Sequence, residues 1–310
     1  MSRLYRYDFP DFLVGTAEYP RGPTGCTVLT FPGGAVGAVD VRGGSVGARE
    51  TTALDPLNAY GALDALFIAG GSSYGLAVGD GIMQELLRAR RGDTRWEAIP
   101  AVPGAVVYDF PGRADARVLP DARLGVTAVR RARPNAVRVG RAGAGANVTV
   151  GSYWGPEYAE PGGQGAACMV IRGIRLFALT VVNAVGNILD GDGSIVAGSR
   201  DPDTGERQAV ADLILDHAGR PGAAPRGNTT VSILVTSARL PRPDLARVAV
   251  MAHTALGRAI EPFHTPYDGD VCFAVSTGIA APRKSLEAGD LGVLAGRLLQ
   301  TAVLEAVTTG

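Results

Sequence analysis

Apolar stretches separated by short polar or glycine-rich breaks run along the chain, and their periodicity predicts alternating strands and helices. In the first half, β-branched and aromatic residues favour strands, whereas apolar positions at helical spacing that end in arginines favour helices. The Pro-Gly-Gly break after the first strand predicts a hairpin with the second. The predicted strands cover 25–31, 35–41, 63–71 and 104–110, and the predicted helices cover 76–91 and 121–133.

The second half shows the same alternation, interrupted by a proline- and glycine-rich linker at 220–228. The part after this linker is too small and too apolar for an independent domain, so we expect it to complete a sheet begun upstream. Helices layered over a mostly antiparallel sheet, in one domain over 1–310, are the predicted architecture. The remaining predicted strands are 165–171, 175–186 (paired around a Gly173 turn), 229–236 and 269–278, and the remaining helices are 205–219, 243–260 and 286–307.

Composition narrows the possible functions. The 310 residues are 46% hydrophobic, enough for a large core, and the formal net charge is zero, which argues against a nucleic-acid or anionic-membrane surface. We expect no segment of membrane-spanning length. Three cysteines without CxxC spacing predict reduced thiols and a cytoplasmic protein. The three histidines lack metal-site spacing and no nucleotide-binding motif is complete, so neither a metal nor a cofactor is expected.

One serine lies in a possible nucleophile motif. The sequence "GSSYG" at 71–75 fits G-x-S-x-G between a predicted strand and helix, which makes Ser73 a candidate nucleophile with His253 or His264 as its base. An α/β-hydrolase should continue with parallel βα units, but here the following elements read as hairpins. The alternative interpretation is a glycine-rich turn whose backbone amides face a ligand.

A threonine at the start of an apolar strand is the second candidate nucleophile. In "RGNTTVSILVTS", Thr229 shares a strand face with Val231, Ile233 and Val235, so it should lie at the open edge of a core-facing surface. If the bond before Thr229 is cut, the new α-amine becomes the base that a threonine hydroxyl needs. The alternative is ordinary strand filler, since threonine suits a pleated sheet.

Two aspartates support the threonine hypothesis. Asp268 and Asp270, in "HTPYDGD", precede a predicted strand and share one face. Two carboxylates in this position can hold an α-ammonium and orient a hydroxyl. An Asp-Gly-Asp turn without any catalytic role is the alternative.

Many short motifs, in order along nearly the whole chain, resemble the L-aminopeptidase/D-amino-acid-esterase family of self-processing N-terminal nucleophile hydrolases. The sequence is most similar to the endo-type hydrolases of nylon (6-aminohexanoate) oligomers. The motifs include "YPRGPTGCTV", "VDVRGGSVG", "IAGGSSYGL", "GAVVYDF", "GRAGAGA", "GGQGAA", "VVNAVG", "GNTT" and "PFHTPYDGDVCFAV".

The resemblance implies a fold, a processing step and a set of site residues. The fold would be α+β, a four-layer αββα sandwich, in a chain that assembles as a homotetramer and uses no cofactor. Self-cleavage between Asn228 and Thr229 would give an α chain, 1–228, and a β chain, 229–310. Thr229 would attack a peptide-like or nylon-oligomer-like amide. The implied supporting residues are Asp268 and Asp270, which orient the nucleophile, Asn183 at the oxyanion and Tyr108 in the substrate cleft.

The chain departs from the family pattern at one position. Where the family has Gly-Lys, with a lysine that assists cleavage, this chain has Gly151-Ser152, and its only lysine is the distant Lys284. A neutral serine is neither a base nor a cation, so slower processing is expected. Two alternatives to amide hydrolysis remain open: acyl transfer to an amine acceptor, and an unprocessed, inactive binding protein.

Overall fold

The structure is a computed structural model that describes residues 2–58, 62–216, 227–280 and 286–309. The described residues form five α-helices: α1 Val78–Ala89, α2 Ala122–Arg131, α3 Val210–Asp216, α4 Arg242–Ala255 and α5 Ala288–Thr308. They also form sixteen strands: β1 Ser2–Arg6, β2 Leu13–Tyr19, β3 Thr24–Val41, β4 Ala48–Arg49, β5 Leu63–Ala69, β6 Gly104–Val106, β7 Ala136–Gly140, β8 Thr149–Val150, β9 Glu160–Pro161, β10 Gly163–Ile171, β11 Ile174–Asn183, β12 Asn187–Leu189, β13 Ile195–Ala197, β14 Thr229–Ala238, β15 Ile260–Glu261 and β16 Val271–Ala280.

The predicted hairpin between 25–31 and 35–41 is wrong, because both segments belong to the single long strand β3. The ladder shifts register between Thr30 and Ala35, where Pro32 removes a donor and Gly34 takes a positive φ of 70°. The first half of β3 pairs with β2 and β5, and the second half pairs with β16. The sequence break therefore marks a bend between two sheets.

This bend produces a four-layer arrangement. The first sheet has the order β1-β7-β10-β11-β14-β16-β3, and the second contains β2, β3, β5, β6 and β4. One apolar core lies between the sheets, where Leu66 and Ile68 meet Ile233 and Phe273. Two outer cores pack the first sheet against α4 and α5 and the second sheet against α1 and α2. The αββα sandwich expected from the resemblance is confirmed.

Most other predicted elements are present with shifted boundaries. The hairpin around Gly173 is confirmed, with Arg172 and Gly173 both at positive φ. The strand predicted over 104–110 keeps ladder pairing only in β6. The helix predicted over 205–219 begins at Val210, since 205–209 are not helical, and α3 is described as far as Asp216. Most of the predicted linker, together with His217 and Lys284, lies outside the described residues.

Helix α5 corrects the expectation about apolar segment length. With 21 residues and a mean hydropathy of 1.3, it is long and apolar enough to cross a bilayer by length and composition. Its apolar face, which includes Leu291, Leu298, Leu299 and Val303, is buried in the outer core of the first sheet. The described contacts are therefore those of a core helix packed on a sheet.

Candidate active site

The candidate nucleophile Thr229 is the first residue of β14, at the end of the core between the two sheets. It pairs with Asn183 on the antiparallel strand β11, and β16 runs parallel on its other side. The side chains of Val231, Ile233 and Val235 on the same face are buried in the inter-sheet core, as predicted. Thr229 itself is 4% exposed, so the uncut chain covers its hydroxyl.

Two donors meet at the carbonyl oxygen of Asn228, which belongs to the peptide bond preceding Thr229. The Thr229 hydroxyl donates to this oxygen at very short range, and the backbone N–H of Gly269 donates to it at 2.8 Å. Gly269 has no space for a side chain, because a β-carbon would lie 2.7 Å from Thr229 Oγ1 and 2.8 Å from the Ser45 carbonyl oxygen. The Asn228–Thr229 peptide is thus polarised at its oxygen by a fixed backbone donor.

The aspartates on either side of Gly269 are both buried in this site. Asp270 Oδ1 accepts the Thr230 backbone N–H at 2.8 Å, directly after the candidate nucleophile. Asp268 accepts the Val185 N–H at 3.1 Å and the Thr265 hydroxyl at 2.5 Å. The structure therefore brings both predicted residues to the start of β14. Their hydrogen bonds go to residues around Thr229, and none of those described goes to the Thr229 side chain.

Burial changes the acidity of one of these carboxyls. Removal from water, together with the nearby negative charge of Asp270, raises the pKa of Asp268 from 3.8 to about 7, against the opposing hydrogen bonds from Thr265 and Val185. Such a carboxyl exchanges a proton near neutral pH. Because the described residues place no arginine in an ion pair with Asp268 or Asp270, charge neutralisation here depends on protonation and on N–H donors.

Asn183 and Tyr108 lie near the Asn228–Thr229 peptide. The Asn183 side chain donates to the Tyr108 carbonyl oxygen at 3.0 Å and to the Gly227 carbonyl oxygen at 3.4 Å, and it accepts the Thr149 N–H at 3.0 Å. The Tyr108 ring covers Gly227, whose positive φ of 78° and lack of a β-carbon allow this contact. In the uncut chain, the Asn183 amide therefore holds the approaching segment and makes no described bond to the Asn228 carbonyl oxygen.

Ser152 lies next to Asn228. Its Oγ accepts the Asn228 side-chain N–H at 2.8 Å. A lysine at this position would place its ammonium beside Asn228, but Ser152 provides only a hydroxyl. The geometry therefore agrees with the position given by the resemblance and leaves that position without a base.

The alternative site around Ser73 is not assembled. Ser73 lies exposed in a 3-10 segment, Ser72–Ala77, that leads into α1. His253 bonds Asp40 through Nδ1 and His264 bonds Asp270 through Nδ1, while the Nε2 atoms of both rings have no partner among the described residues. Among the described residues, neither of these histidines bonds Ser73 as the base that a nucleophile elbow requires.

Comparison with known proteins identifies the family. The profile of peptidase family S58 matches residues 7–310. The chain belongs to peptidase family S58. It is also 39% identical to a 6-aminohexanoate-oligomer endohydrolase of Paenarthrobacter ureafaciens, over 98% of this chain and 86% of that protein. The resemblance found in the sequence is therefore confirmed.

Solved structures support the same fold at lower identity. A Burkholderia sp. beta-aminopeptidase superposes with a TM-score of 0.69 at 21% identity, covering 100% of this chain and 89% of the other. The L-aminopeptidase D-Ala-esterase/amidase of Ochrobactrum anthropi, described as a variant of the Ntn hydrolase fold, superposes with a TM-score of 0.68 at 17% identity, covering 97% and 84%. This S58 chain is an amidohydrolase or peptidase with the fold of N-terminal nucleophile hydrolases.

Sequence reasoning missed three contributors to this S58 site: Gly269, Thr265 and His264. The Asp-Gly-Asp spacing was a visible signal for Gly269, since a glycine between two site carboxylates allows close approach of the backbone. His264 was considered only as a partner for Ser73. Its contact with Asp270 depends on a loop conformation that spacing alone does not reveal.

Proposed function

We propose that this chain is a self-processing N-terminal threonine hydrolase, in which Thr229 first cuts its own chain and then cleaves linear amides. The observation that carries the proposal is the pair of donors on the Asn228 carbonyl oxygen, one from the Thr229 hydroxyl and one from the Gly269 N–H. Held geometry of this kind lowers the entropic barrier to attack. The proposal also includes the division of the single domain into 1–228 and 229–310.

The first step is an intramolecular acyl shift. Thr229 Oγ1 attacks the Asn228 carbonyl carbon, and the developing negative charge on oxygen is stabilised by the Gly269 N–H. The carbon–nitrogen bond then breaks, the nitrogen gains a proton, and the Asn228 acyl group is left as an ester on Thr229. The Thr229 nitrogen is then already a free α-amine, and water hydrolyses the ester, which frees the Asn228 carboxylate and the Thr229 hydroxyl.

Proton transfer in this step requires a group other than a lysine at position 152. A group whose pKa is near the working pH both accepts and returns a proton efficiently. Asp268, whose pKa is raised to about 7 by burial and by the charge of Asp270, meets this condition. Its backbone also forms an isolated bridge with Asn228, which keeps it next to the bond to be cut.

In the mature enzyme, the α-amine of Thr229 acts as the base for its own hydroxyl. We propose that Asp268 and Asp270 hold this amine, and that Asn183, released from Gly227 when the chain is cut, supports the substrate oxyanion together with Tyr108. An acyl-enzyme forms on Thr229 and passes to water. The substrate class is linear amides of the peptide or 6-aminohexanoate-oligomer type, supported by the 39% identity to an oligomer endohydrolase. Assembly as a homotetramer and a cytoplasmic location are part of the same proposal.

Intact mass spectrometry with N-terminal sequencing tests the processing step. We expect two chains, 1–228 and 229–310, that co-elute, with the smaller beginning Thr-Thr-Val-Ser. Thr230→Ala is the matched control, because it removes a neighbouring hydroxyl that has no hydrogen-bond partner while keeping the backbone N–H that contacts Asp270. A new N-terminus at another residue, or a single intact chain, would contradict the proposal.

Acyl transfer is the competing chemistry within the enzymes. Supplying a free amine acceptor with a 6-aminohexanoate oligomer separates the two reactions. Hydrolysis releases carboxylate products whose yield is independent of the acceptor, whereas a transferase gives the acceptor amide as its main product.

A further inference from the structure

A buried histidine, His253, and a half-buried one, His264, meet behind the candidate active site. His253 lies in the last turn of α4, and His264 lies in the loop between β15 and Asp268. Their ring centroids are 4.5 Å apart and edge-on, and the ring of Phe263 stacks on His264 at 3.8 Å. Neither histidine has a place in the family-derived list of site residues, and their earlier assignment to Ser73 is wrong.

His264 contacts a catalytic carboxylate twice. Its backbone N–H donates to Asp270 Oδ2 at 3.1 Å, and its ring Nδ1 lies 3.0 Å from the same oxygen. The other oxygen, Oδ1, remains for the Thr230 N–H. His264 thereby fixes which Asp270 oxygen faces the start of β14.

The backbone of His264 is in an unusual conformation that makes both contacts possible. Its φ of 59° lies in the left-handed region, which non-glycine residues enter infrequently and mostly at special sites. The His264 Nε2 is also buried without a hydrogen-bond partner, and such groups lower stability. A strained backbone and an unsatisfied ring nitrogen are costs that a purely structural residue at this position would avoid.

The charged groups around the two rings come from the end of β3 and from the loop before β16. Asp40, at the end of β3, bonds His253 Nδ1 at 2.9 Å and forms an ion pair with Arg42 at 2.7 Å. Asp268 and Asp270 lie on the loop before β16. Burial, with a smaller contribution from the charge of His264, lowers the pKa of His253 despite its bond to Asp40. His253 is therefore a neutral packing wall at neutral pH, with its hydrogen bond directed away from the active site.

We propose that His264 is a positioning residue that locks the Asp270 carboxylate toward the start of β14, so that its Oδ1 is in place to receive the Thr229 amine after cleavage. This role rests on the proposed function. In this role, the left-handed backbone and the ring orientation of His264 serve to order Asp270, which contacts β14. His264 acts through Asp270 and not on the substrate.

The test compares three variants at one position. His264→Gly accepts the positive φ and keeps the backbone donor but removes the ring. His264→Asn also tolerates this φ, and its side-chain amide places a donor near the position of Nδ1. His264→Leu fills part of the ring volume against Phe263 and has no side-chain donor. His253→Phe is the matched control, because it alters the neighbouring ring without removing a contact to Asp270.

Each variant is assayed for hydrolysis of a 6-aminohexanoate oligomer across pH, for its processed fraction on denaturing gels, and for its melting temperature. We expect His264→Gly and His264→Leu to lose roughly ten- to a hundredfold in kcat/KM, the effect of losing one hydrogen bond to a charged group. The acid limb of their profiles should move to higher pH, because a carboxylate that loses a donor is protonated more readily. His264→Asn should retain most of the activity and the wild-type acid limb.

The outcomes separate this inference from the proposed function. If the separate variant Thr229→Ala is inactive but His264→Leu keeps its kcat/KM and its acid limb, the positioning role alone is overturned. An active Thr229→Ala would overturn the proposed function itself. If His264→Gly does not fold, kcat/KM of His264→Asn and His264→Leu is compared per folded molecule, so that the strain of a leucine at positive φ is not counted as loss of the donor. An equal shift of the acid limb in His253→Phe would also refute a role specific to His264.

Discussion

Two regions of this molecule each present a hydroxyl next to a glycine and a buried aspartate, but they are built for different purposes. Beside the Ser73 loop, Asp109 forms an ion pair with Arg113, whose side chain is only 1% exposed, and accepts the Gly71 N–H and the Thr24 hydroxyl, both at 2.7 Å. Beside Thr229, Asp268 and Asp270 accept N–H and O–H donors without an arginine. The first carboxylate holds a loop in place, whereas the second pair lies at the start of β14 and has no arginine partner among the described residues.

The largest expected difference between the two regions comes from removing each hydroxyl. We expect Thr229→Ala to remain a single folded chain and to lose activity by at least about four orders of magnitude, because the attacking atom is gone. Ser73→Ala should be processed and should retain at least part of its activity. Gel electrophoresis and oligomer hydrolysis provide the readouts. Full activity in Thr229→Ala, or an inactive but normally cut Ser73→Ala, would reverse the assignment of the two regions.

The next comparison removes one charge from each region. Asp270→Asn should lower turnover by roughly a hundred- to a thousandfold with a modest change in melting temperature, since it weakens the hold on the Thr229 amine. Asp109→Asn should instead destabilise the fold by roughly 3–5 kcal/mol, because it leaves the buried Arg113 without its partner, while turnover per folded molecule stays near wild type. Thermal unfolding and active-site-normalised kinetics measure both effects. Equal losses of turnover in the two variants would show that the regions do not differ as we infer.

A base added at position 152 tests whether the Thr229 region lacks a proton acceptor for self-cleavage. Ser152→Lys should speed self-cleavage, and a well-placed general base contributes roughly a hundred- to ten-thousandfold. Ser152→Ala is the control, since it removes the acceptor for the Asn228 side chain without supplying a base. The uncut fraction is followed over time on denaturing gels, where we expect the wild type to be a mixture of precursor and cut chains. A wild type that is fully cut at isolation would mean that another group performs the lysine's role and that Ser152 is no handicap.

The smallest expected effect is on stability, and it arises from Asp268. Its pKa is raised from 3.8 to about 7 in the fold, so between these values the folded state binds more protons than the unfolded state. Stability from this carboxyl should therefore be present at low pH and be lost as pH rises toward about 7. In an uncut Thr229→Ala background, the melting temperature should fall over this range relative to the same protein with Asp268→Asn. Parallel melting curves for the two proteins would show that Asp268 titrates normally.

Local features of the fold could be predicted from the sequence, whereas the long-range pairing of strands could not. Strand and helix positions followed from periodicity, as the pairing of β10 with β11 around Gly173 shows. The bend in β3 did not, because Pro-Gly-Gly marks an interruption but not which strands each half will join. A hairpin and a strand shared between two sheets produce the same local pattern, and only the apolar core between Leu66 and Ile233 distinguishes them.

The candidate site shows the same division. The amino-acid sequence alone pointed to the candidate residues: a threonine at the start of an apolar strand, an Asp-Gly-Asp turn, and a serine where the resemblance implies a lysine. Only the tertiary structure decided that the Gly269 N–H meets the Asn228 carbonyl oxygen, that Asp268 is buried enough to have a pKa of about 7, and that His264 belongs to Asp270 and not to Ser73. Residue type and spacing fix chemical capacity and strand face, because these depend on the local chain. Hydrogen-bond partners and desolvation arise from segments far apart in sequence, so they exist only once β11, β14 and β16 have been brought together.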